Sequence, residues 1–252
     1  MKQSGKKSYP SVSKVTTTEH VRMVKEIFGT ITERYDFLNH FLSMRRDVFW
    51  RRFAVRGMRF FKTGRLLDVA CGTGDVAIAA AALHADIKAV GLDFVKEMTD
   101  IARIKTEKAG FGSRIRIVRG DATLLPFTDN SFDAALIAFG IRNIPDRRKA
   151  LREMSRVVAP GGQVLVLEML LPLHRLFRPF YLFYLERILP RLARAVTGNP
   201  NPYIYLADSI KNFPSPEKFS ALMEEAGLIE VKKYALTLGI TYLFSGVKGE
   251  LK

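Results

Sequence analysis

The sequence predicts an open, mainly parallel α/β sheet, with helices ahead of it and a helical insertion behind its fifth strand. Three observations carry the prediction. Apolar runs at 65–70, 87–93, 114–119, 132–139 and 162–168 alternate with helical patterns near 74–84, 96–109 and 146–158. A glycine turn, Cys71-Gly72-Thr73-Gly74, follows the first strand at once. Asp93 then closes the second strand about 20 residues on, where a ribose-binding acid belongs in such folds. Alternation of this kind implies right-handed crossovers and a ligand crevice at the carboxyl ends of the strands.

Taken in order, residues 1–17 are rich in Lys, Ser and Thr and read as a mobile basic tail. The rest, 18–252, reads as one domain: a helical cap at 18–62, a core at 63–168, inserted helices at 169–227 and closing strands at 228–252. In the cap, Ile27, Phe28, Ile31, Tyr35, Leu38, Phe41 and Leu42 recur at helical spacing. From Arg45 to Phe61, basic residues alternate with Phe49, Trp50, Phe53, Val55 and Met58. Pro160-Gly161-Gly162 ends the helix near 146–158 and turns the chain into the fifth strand. Residues 170–196 are rich in Leu, Phe, Tyr and Arg, with Pro172, Pro179 and Pro190 interrupting them; this reads as an inserted helical segment. Further helices are expected at 203–212 and 216–226, and strands at 228–236 and 239–248.

A chain of 252 residues is long enough for one such domain with decoration. Its 48% apolar and 26% charged residues are those of an ordinary globular protein. Cys71 is the only cysteine, which excludes an internal disulfide and a thiolate metal cluster; it reads as a small residue fitted to a tight bend. His20, His40, His84 and His174 lack metal-ligand spacing, so no metal is expected. The net charge of +15 asks for an anionic partner, either nucleic acid or a membrane surface. No apolar run is long enough to span a bilayer, and no apolar segment follows the N-terminal lysines. A cytoplasmic protein is expected.

Gly72-x-Gly74-x-x-Ala77, with Asp93 downstream, also fits the dinucleotide fingerprint. The glycines alone do not separate a nicotinamide cofactor from S-adenosylmethionine. Charge favours the second. A pyrophosphate rests on the helix N-terminus, where Asp75 would repel it, whereas sulfonium and ammonium groups attract carboxylates such as Asp75 and Asp68. In that reading Gly72, Thr73 and Gly74 cradle the donor, and Asp93 accepts both ribose hydroxyls. Asp121 and Ala122, after the third strand, meet the adenine amino group and ring edge. The loop Ala138-Phe139-Gly140-Ile141-Arg142-Asn143 follows the fourth strand, which borders the crevice, so Arg142 and Asn143 are expected to contact substrate. That loop lacks the Pro-Pro-aromatic run of enzymes that methylate base amines, and lacks the cysteine needed for cytosine C5 chemistry.

Several blocks go further. They are Tyr35-Asp36-Phe37-Leu38-Asn39-His40-Phe41-Leu42-Ser43 with Trp50-Arg51, the run Phe139 to Asn143, the run Arg156 to Glu168, and Tyr203-x-Tyr205-Leu206 with Ser209-Ile210 and Phe213-Pro214. On these blocks the chain, from about residue 20 to 248, resembles the ubiquinone/menaquinone biosynthesis C-methyltransferase family. It departs from the usual pattern at Leu38, Asp47, Ala138, Ala159 and Leu170. The resemblance implies a class I S-adenosylmethionine-dependent methyltransferase, a Rossmann-like sheet closed by an antiparallel hairpin. It also implies methyl transfer to a ring carbon of a polyprenylated quinol, demethylmenaquinol or a related benzoquinol, with no metal.

Arginine is no base at neutral pH, so Arg142 would hold the phenolate rather than deprotonate it. A polyprenylated substrate lives in a membrane. The Arg- and Phe-rich segment 172–196, with the Trp50 region, is therefore expected to line the substrate entrance and lie on anionic headgroups at the inner face of the cell membrane. A homo-oligomer or an assembly of quinone-making enzymes would also suit this setting. The +15 charge keeps two alternatives: an RNA or DNA methyltransferase, and a non-catalytic nucleic-acid-binding module on the same fold. Against nucleic acid, the basic residues of 175–194 are mixed with large apolar side chains.

Overall fold

In the computed structural model, which describes residues 9–31, Asp36, His40 and 43–249, seven strands form one sheet in the order β3-β2-β1-β4-β5-β7-β6. They are β1 (Arg65–Val69), β2 (Lys88–Asp93), β3 (Ile115–Arg119), β4 (Phe132–Ala138), β5 (Val158–Met169), β6 (Leu228–Leu236) and β7 (Thr241–Lys248). All neighbours are parallel except β7, which runs antiparallel to both β5 and β6. The strand order reverses at β1 and β4, which lie side by side with Leu67 opposite Ala135 and Asp68 opposite Leu136. This is the switch point at which a ligand crevice forms.

Successive side chains on a strand face opposite ways, and both faces of this sheet are covered. Leu66, Leu136 and Leu165 pack with Ala77 and Ala80 of α3 (Asp75–Leu83) and with Trp50 and Ala54 of α2 (Arg46–Arg56). Leu67, Ile137 and Val166 pack with Leu151 and Met154 of α5 (Arg147–Val157) and with Phe219 and Met223 further along. Burial on both faces explains why β1 and β4, apart from Arg65, Asp68 and Asp133, are apolar throughout rather than alternating. Between β2 and β3, α4 (Lys96–Lys108) completes the crossover.

Several boundaries differ from the sequence reading. The helical cap does not reach residue 62: α2 stops at Arg56. The chain then crosses to β1 with the amides of Phe61, Lys62, Thr63 and Gly64 all donating to the buried carboxylate of Asp133. Helix α5 ends at Val157, and Pro160-Gly161-Gly162 lies inside β5 as an irregularity in its pairing with β4. Residues 9–16, read as part of a mobile tail, are docked. The Ser11 hydroxyl and the Val12 amide donate to Asp208, and Val12 and Val15 pack beside Met23 and Ile27 of α1 (Thr17–Ile31). Residues 1–8, together with Tyr35, Leu38, Phe41 and Leu42 of the expected helical stripe, lie outside the described residues.

The inserted helical segment runs without a break from Phe177 to Thr197. It comprises α6 (Phe177–Phe183), a π-helical turn (Tyr184–Ile188) and α7 (Leu189–Thr197). Pro190 has no amide hydrogen to give to Glu186, and the helix absorbs that loss as the wider turn. Tyr181, Leu185, Leu189 and Ala193 pack against Tyr203, Ala207 and Ile210 of α8 (Asn201–Lys211). Helix α9 (Pro216–Glu225) leads into the closing hairpin. Trp50, in the region expected to line the substrate entrance and lie on headgroups, is itself buried: its indole N–H donates to Thr237 Oγ1 at 2.9 Å and its ring meets Phe139.

Candidate active site

A cavity of about 370 Å³ opens at the carboxyl ends of β1, β2 and β4. Gly72, Asp93, Phe94, Asp121, Ala122 and Asn143 line it from the sheet side, and Thr17, Val21, Val24 and Phe28, one face of α1, line it from across. Ala70 and Phe139, the residues that leave β1 and β4, both adopt left-handed backbone, with φ of 51° and 59°. Such geometry costs a non-glycine residue roughly 1–3 kcal/mol. It turns the two strand ends apart to open the crevice. Gly140 is needed between them, because a Cβ there would come within 2.8 Å of the Ala70 Cβ.

Asp93 organises the donor side. One carboxylate oxygen accepts the Gly72 amide at 2.8 Å and the other accepts the Val95 amide at 2.8 Å, so it ties the glycine turn to the start of α4. Burial raises its pKa, and those amides oppose the rise. A carboxylate has about four acceptor positions, so Asp93 keeps capacity toward the cavity. Asp121 is exposed at the mouth, where Oδ1 accepts the amide and hydroxyl of Thr123 at 2.7 and 2.9 Å.

Gly72, Asp93, Asp121, Ala122 and Asn143 thus meet in one cavity, while Thr73, Gly74 and Arg142 are absent from its wall. Thr73 donates its hydroxyl to Asp36 at 2.6 Å. Gly74, at φ 87°, starts α3 close against Ala102 of α4.

Asp75 and Asp68, the carboxylates expected to attract a cationic ligand, are both occupied otherwise. Asp75 is paired with Lys105 and Arg51, in a network that continues from Lys105 to Asp36 and from Arg51 through Asp47 to His40. Asp68 is buried, and its pKa is pushed up to about 8 by burial and by the nearby Asp93 and Asp75, against the Ala77 amide and Arg51. It accepts that amide at 3.1 Å. The charged residues that line the cavity are Asp93, Asp121, Asp146 and Lys149. Burial, with Asp68 and Asp93 nearby, raises the thiol pKa of Cys71, which disfavours its reactive thiolate. Among the described residues no group of His, Cys, Asp and Glu could hold a metal.

The loop after β4 is pinned from beneath. Arg142 donates its amide and its guanidinium to Glu168 at 3.2 and 2.7 Å, and the guanidinium also reaches Phe139 O. Arg147 donates to the carbonyls of Ile141 and Arg142. Asn143 alone of the predicted pair turns to the cavity, and its Oδ1 accepts the Tyr205 hydroxyl at 2.9 Å. That hydroxyl in turn meets His20 Nε2 at 3.1 Å. Sequence reasoning found neither partner, since His20 lies 185 residues from Tyr205 and no local pattern links them. The α1 wall was more accessible, because Thr17, Val21, Val24 and Phe28 follow helical spacing.

The profile of the ubiE/COQ5 methyltransferase family matches residues 14–248. The chain belongs to this family. It is an S-adenosylmethionine-dependent methyltransferase of the class I fold. A protein of Geotalea uraniireducens named ubiquinone/menaquinone biosynthesis C-methyltransferase UbiE is 43% identical over 232 residues, 92% of this chain and 98% of the relative. A demethylmenaquinone methyltransferase of Thermus thermophilus is 42% identical over 220 residues, 87% of this chain and 99% of the relative. Among solved structures, a Thermotoga maritima S-adenosylmethionine-dependent methyltransferase, described as a possible histamine N-methyltransferase, aligns with a TM-score of 0.59 at 22% identity. That alignment covers 88% of this chain and 98% of the neighbour, and the likeness is one of fold. Fold likeness leaves the substrate to be argued from the site.

Proposed function

We propose that this enzyme methylates a ring carbon of a polyprenylated quinol, demethylmenaquinol or a related benzoquinol. The observation that carries the reading is the two-sided cavity: Gly72, Asp93 and Asp121 on one wall, and the apolar Val21, Val24 and Phe28 on the other. A polar, nucleoside-bearing donor suits the first side and an isoprenoid-substituted ring the second. The relatives' names support the same substrate class.

S-adenosylmethionine, when bound, supplies an electrophilic methyl group. Asp93 and Asp121 offer acceptors for ribose hydroxyls and an adenine amino group, and Gly72 presents no side chain to obstruct them. Asn143 lines the cavity and would meet the ring and its oxygen there. A quinol hydroxyl titrates near the tyrosine value, about 10, and its deprotonation raises electron density on the adjacent carbon. Positioning and exclusion of water then account for most of the catalysis required. Arg142, tied to Glu168, acts by holding the Asn143 loop in place.

The substrate would be collected from a membrane. Leu176, Phe180 and Phe183 are 76%, 73% and 60% exposed on α6 and its approach, and Arg175, Arg178 and Arg187 are exposed beside them. No helix among the described residues is long and apolar enough to cross a bilayer. This mixture of apolar and cationic side chains suits anionic headgroups at the inner face of the cell membrane better than nucleic acid.

The direct test is turnover of a short-chain demethylmenaquinol, kept reduced, with S-adenosylmethionine, and of the matching benzoquinol in parallel. Mass spectrometry should show one added ring methyl on the quinol and none on the oxidised quinone. Failure with both quinols would overturn the reading.

A further inference from the structure

We infer that His20 and Tyr205 are positioning residues that fix the side-chain amide of Asn143, so that its nitrogen faces the cavity as a donor to the substrate's oxygen. This deepens the quinol reading and rests on it, because a quinol gains negative charge on the oxygen beside the carbon that is methylated.

The direction of the chain follows from counting protons. A tyrosine hydroxyl has one hydrogen, and here it points to Asn143 Oδ1 at 2.9 Å. The contact between the same hydroxyl and His20 Nε2, at 3.1 Å, must therefore be donated by the histidine. His20 is then the tautomer protonated at Nε2. Both side chains are buried, with only 6% and 4% of the residues exposed, so water does not compete for these bonds. Their rings meet edge to face at 6.2 Å, which holds the pair in register.

With its oxygen committed to Tyr205, the Asn143 amide offers its nitrogen to the cavity that the residue lines. The opposite orientation would present a carbonyl oxygen to a phenolate oxygen and repel it. Burial and the nearby Arg147 lower the His20 pKa, which keeps the ring neutral in its resting state. Arg142, Arg147, Glu168 and Asp208 are the charged groups around Tyr205, whose pKa is raised chiefly by burial. A phenol so protected keeps its proton and its donor role through the neutral range.

Removing one donor aimed at a developing oxyanion typically costs roughly 100-fold or more in kcat. Tyr205→Phe frees the Asn143 amide to flip without removing it, so kcat should fall about 10- to 100-fold while calorimetric donor affinity stays within about twofold. His20→Leu should lower kcat in the same direction. His20→Gln should restore most of it, because a glutamine N–H can donate to the Tyr205 hydroxyl. Wild-type kcat in Tyr205→Phe, or His20→Gln as impaired as His20→Leu, would overturn the inference, provided the wild-type enzyme turns over the quinol. Wild-type failure with the quinol bears on the substrate reading instead. Independently of any substrate, nitrogen NMR of the wild-type protein should show His20 protonated at Nε2 and bare at Nδ1. The opposite tautomer overturns the chain of bonds.

Discussion

The Arg142 guanidinium donates to Glu168 Oε1 at 2.7 Å where only 6% and 0% of the two side chains are exposed. The pair joins the loop after β4 to the end of β5, and so sets where Asn143 stands. A buried pair broken from one side leaves the other charge uncompensated, at a cost of about 3–5 kcal/mol. Glu168→Ala should lose stability on that scale in urea unfolding. Arg142→Lys keeps the charge without the planar fork. It should leave donor affinity near normal and slow methyl transfer. Full turnover in Arg142→Lys would detach this loop from catalysis.

Asp93 holds two amides at 2.8 Å and also faces the cavity. Asp93→Ala removes those two bonds and the expected ribose contact together. Hydrogen bonds to a charged group contribute about 1.5–3 kcal/mol each, so donor affinity should fall by at least about 100-fold. Asp93→Asn, which keeps one acceptor oxygen, should fall between the two. Calorimetric titration that finds wild-type affinity in Asp93→Ala would remove the residue from the donor site.

The strands, the crossovers and the glycine turn were legible because each is local: an apolar run, a periodicity, a residue that bends the chain. The places of Asp93 and Asp121 in the fold were legible for the same reason: Asp93 closes β2, and Asp121 follows β3 after Gly120. What escaped was made by pairing across the fold. Asp133 looks like an ordinary strand residue until four amides from 61–64 converge on it. His20, Tyr205 and Asn143 come from three distant segments. Arg142 could be placed on the right loop but not given its partner, since Glu168 is 26 residues away on the neighbouring strand. Asp75 and Asp68 misled for a related reason: a carboxylate's charge depends on Lys105, Arg51 and burial, none of which the turn itself contains.

Asp68 gives the protein a testable pH signature. Its folded pKa, pushed up to about 8 by burial, exceeds the ordinary value of 3.8. A carboxyl that holds its proton more tightly when folded contributes stability that is fully present below the unfolded pKa. That contribution is lost as pH rises through the window to about 8, and is flat above it. Asp68→Asn does not titrate and can still accept the Ala77 amide. The variant should therefore gain stability relative to wild type between about pH 4 and pH 8. Urea unfolding of both proteins at several pH values measures that difference directly. A gap that does not change with pH would mean that Asp68 titrates normally in the folded protein.

The membrane contact is the prediction on which delivery of a polyprenylated ring depends. Burial divides the inserted segment: Tyr181, Leu185, Leu189 and Ala193 pack on α8, which leaves Leu176, Phe180 and Phe183 outward with Arg175, Arg178 and Arg187. Core packing thus accounts for only part of the segment's apolar residues and leaves Leu176, Phe180 and Phe183 facing solvent. Basic residues near an anionic surface contribute about 1 kcal/mol each, and 1.4 kcal/mol is tenfold in affinity. Replacing Arg175, Arg178 and Arg187 with glutamine should weaken binding to phosphatidylglycerol vesicles by on the order of 100-fold. High salt should weaken the wild-type protein likewise, because these charges are exposed and screened. Phe180→Ser with Phe183→Ser should reduce binding in a salt-independent way, since it removes apolar insertion rather than charge. Vesicle flotation at low and high salt separates the two contributions. If neither set of substitutions changes flotation, the outward face of α6 does not dock on lipid, and the quinol reaches the cavity by another route.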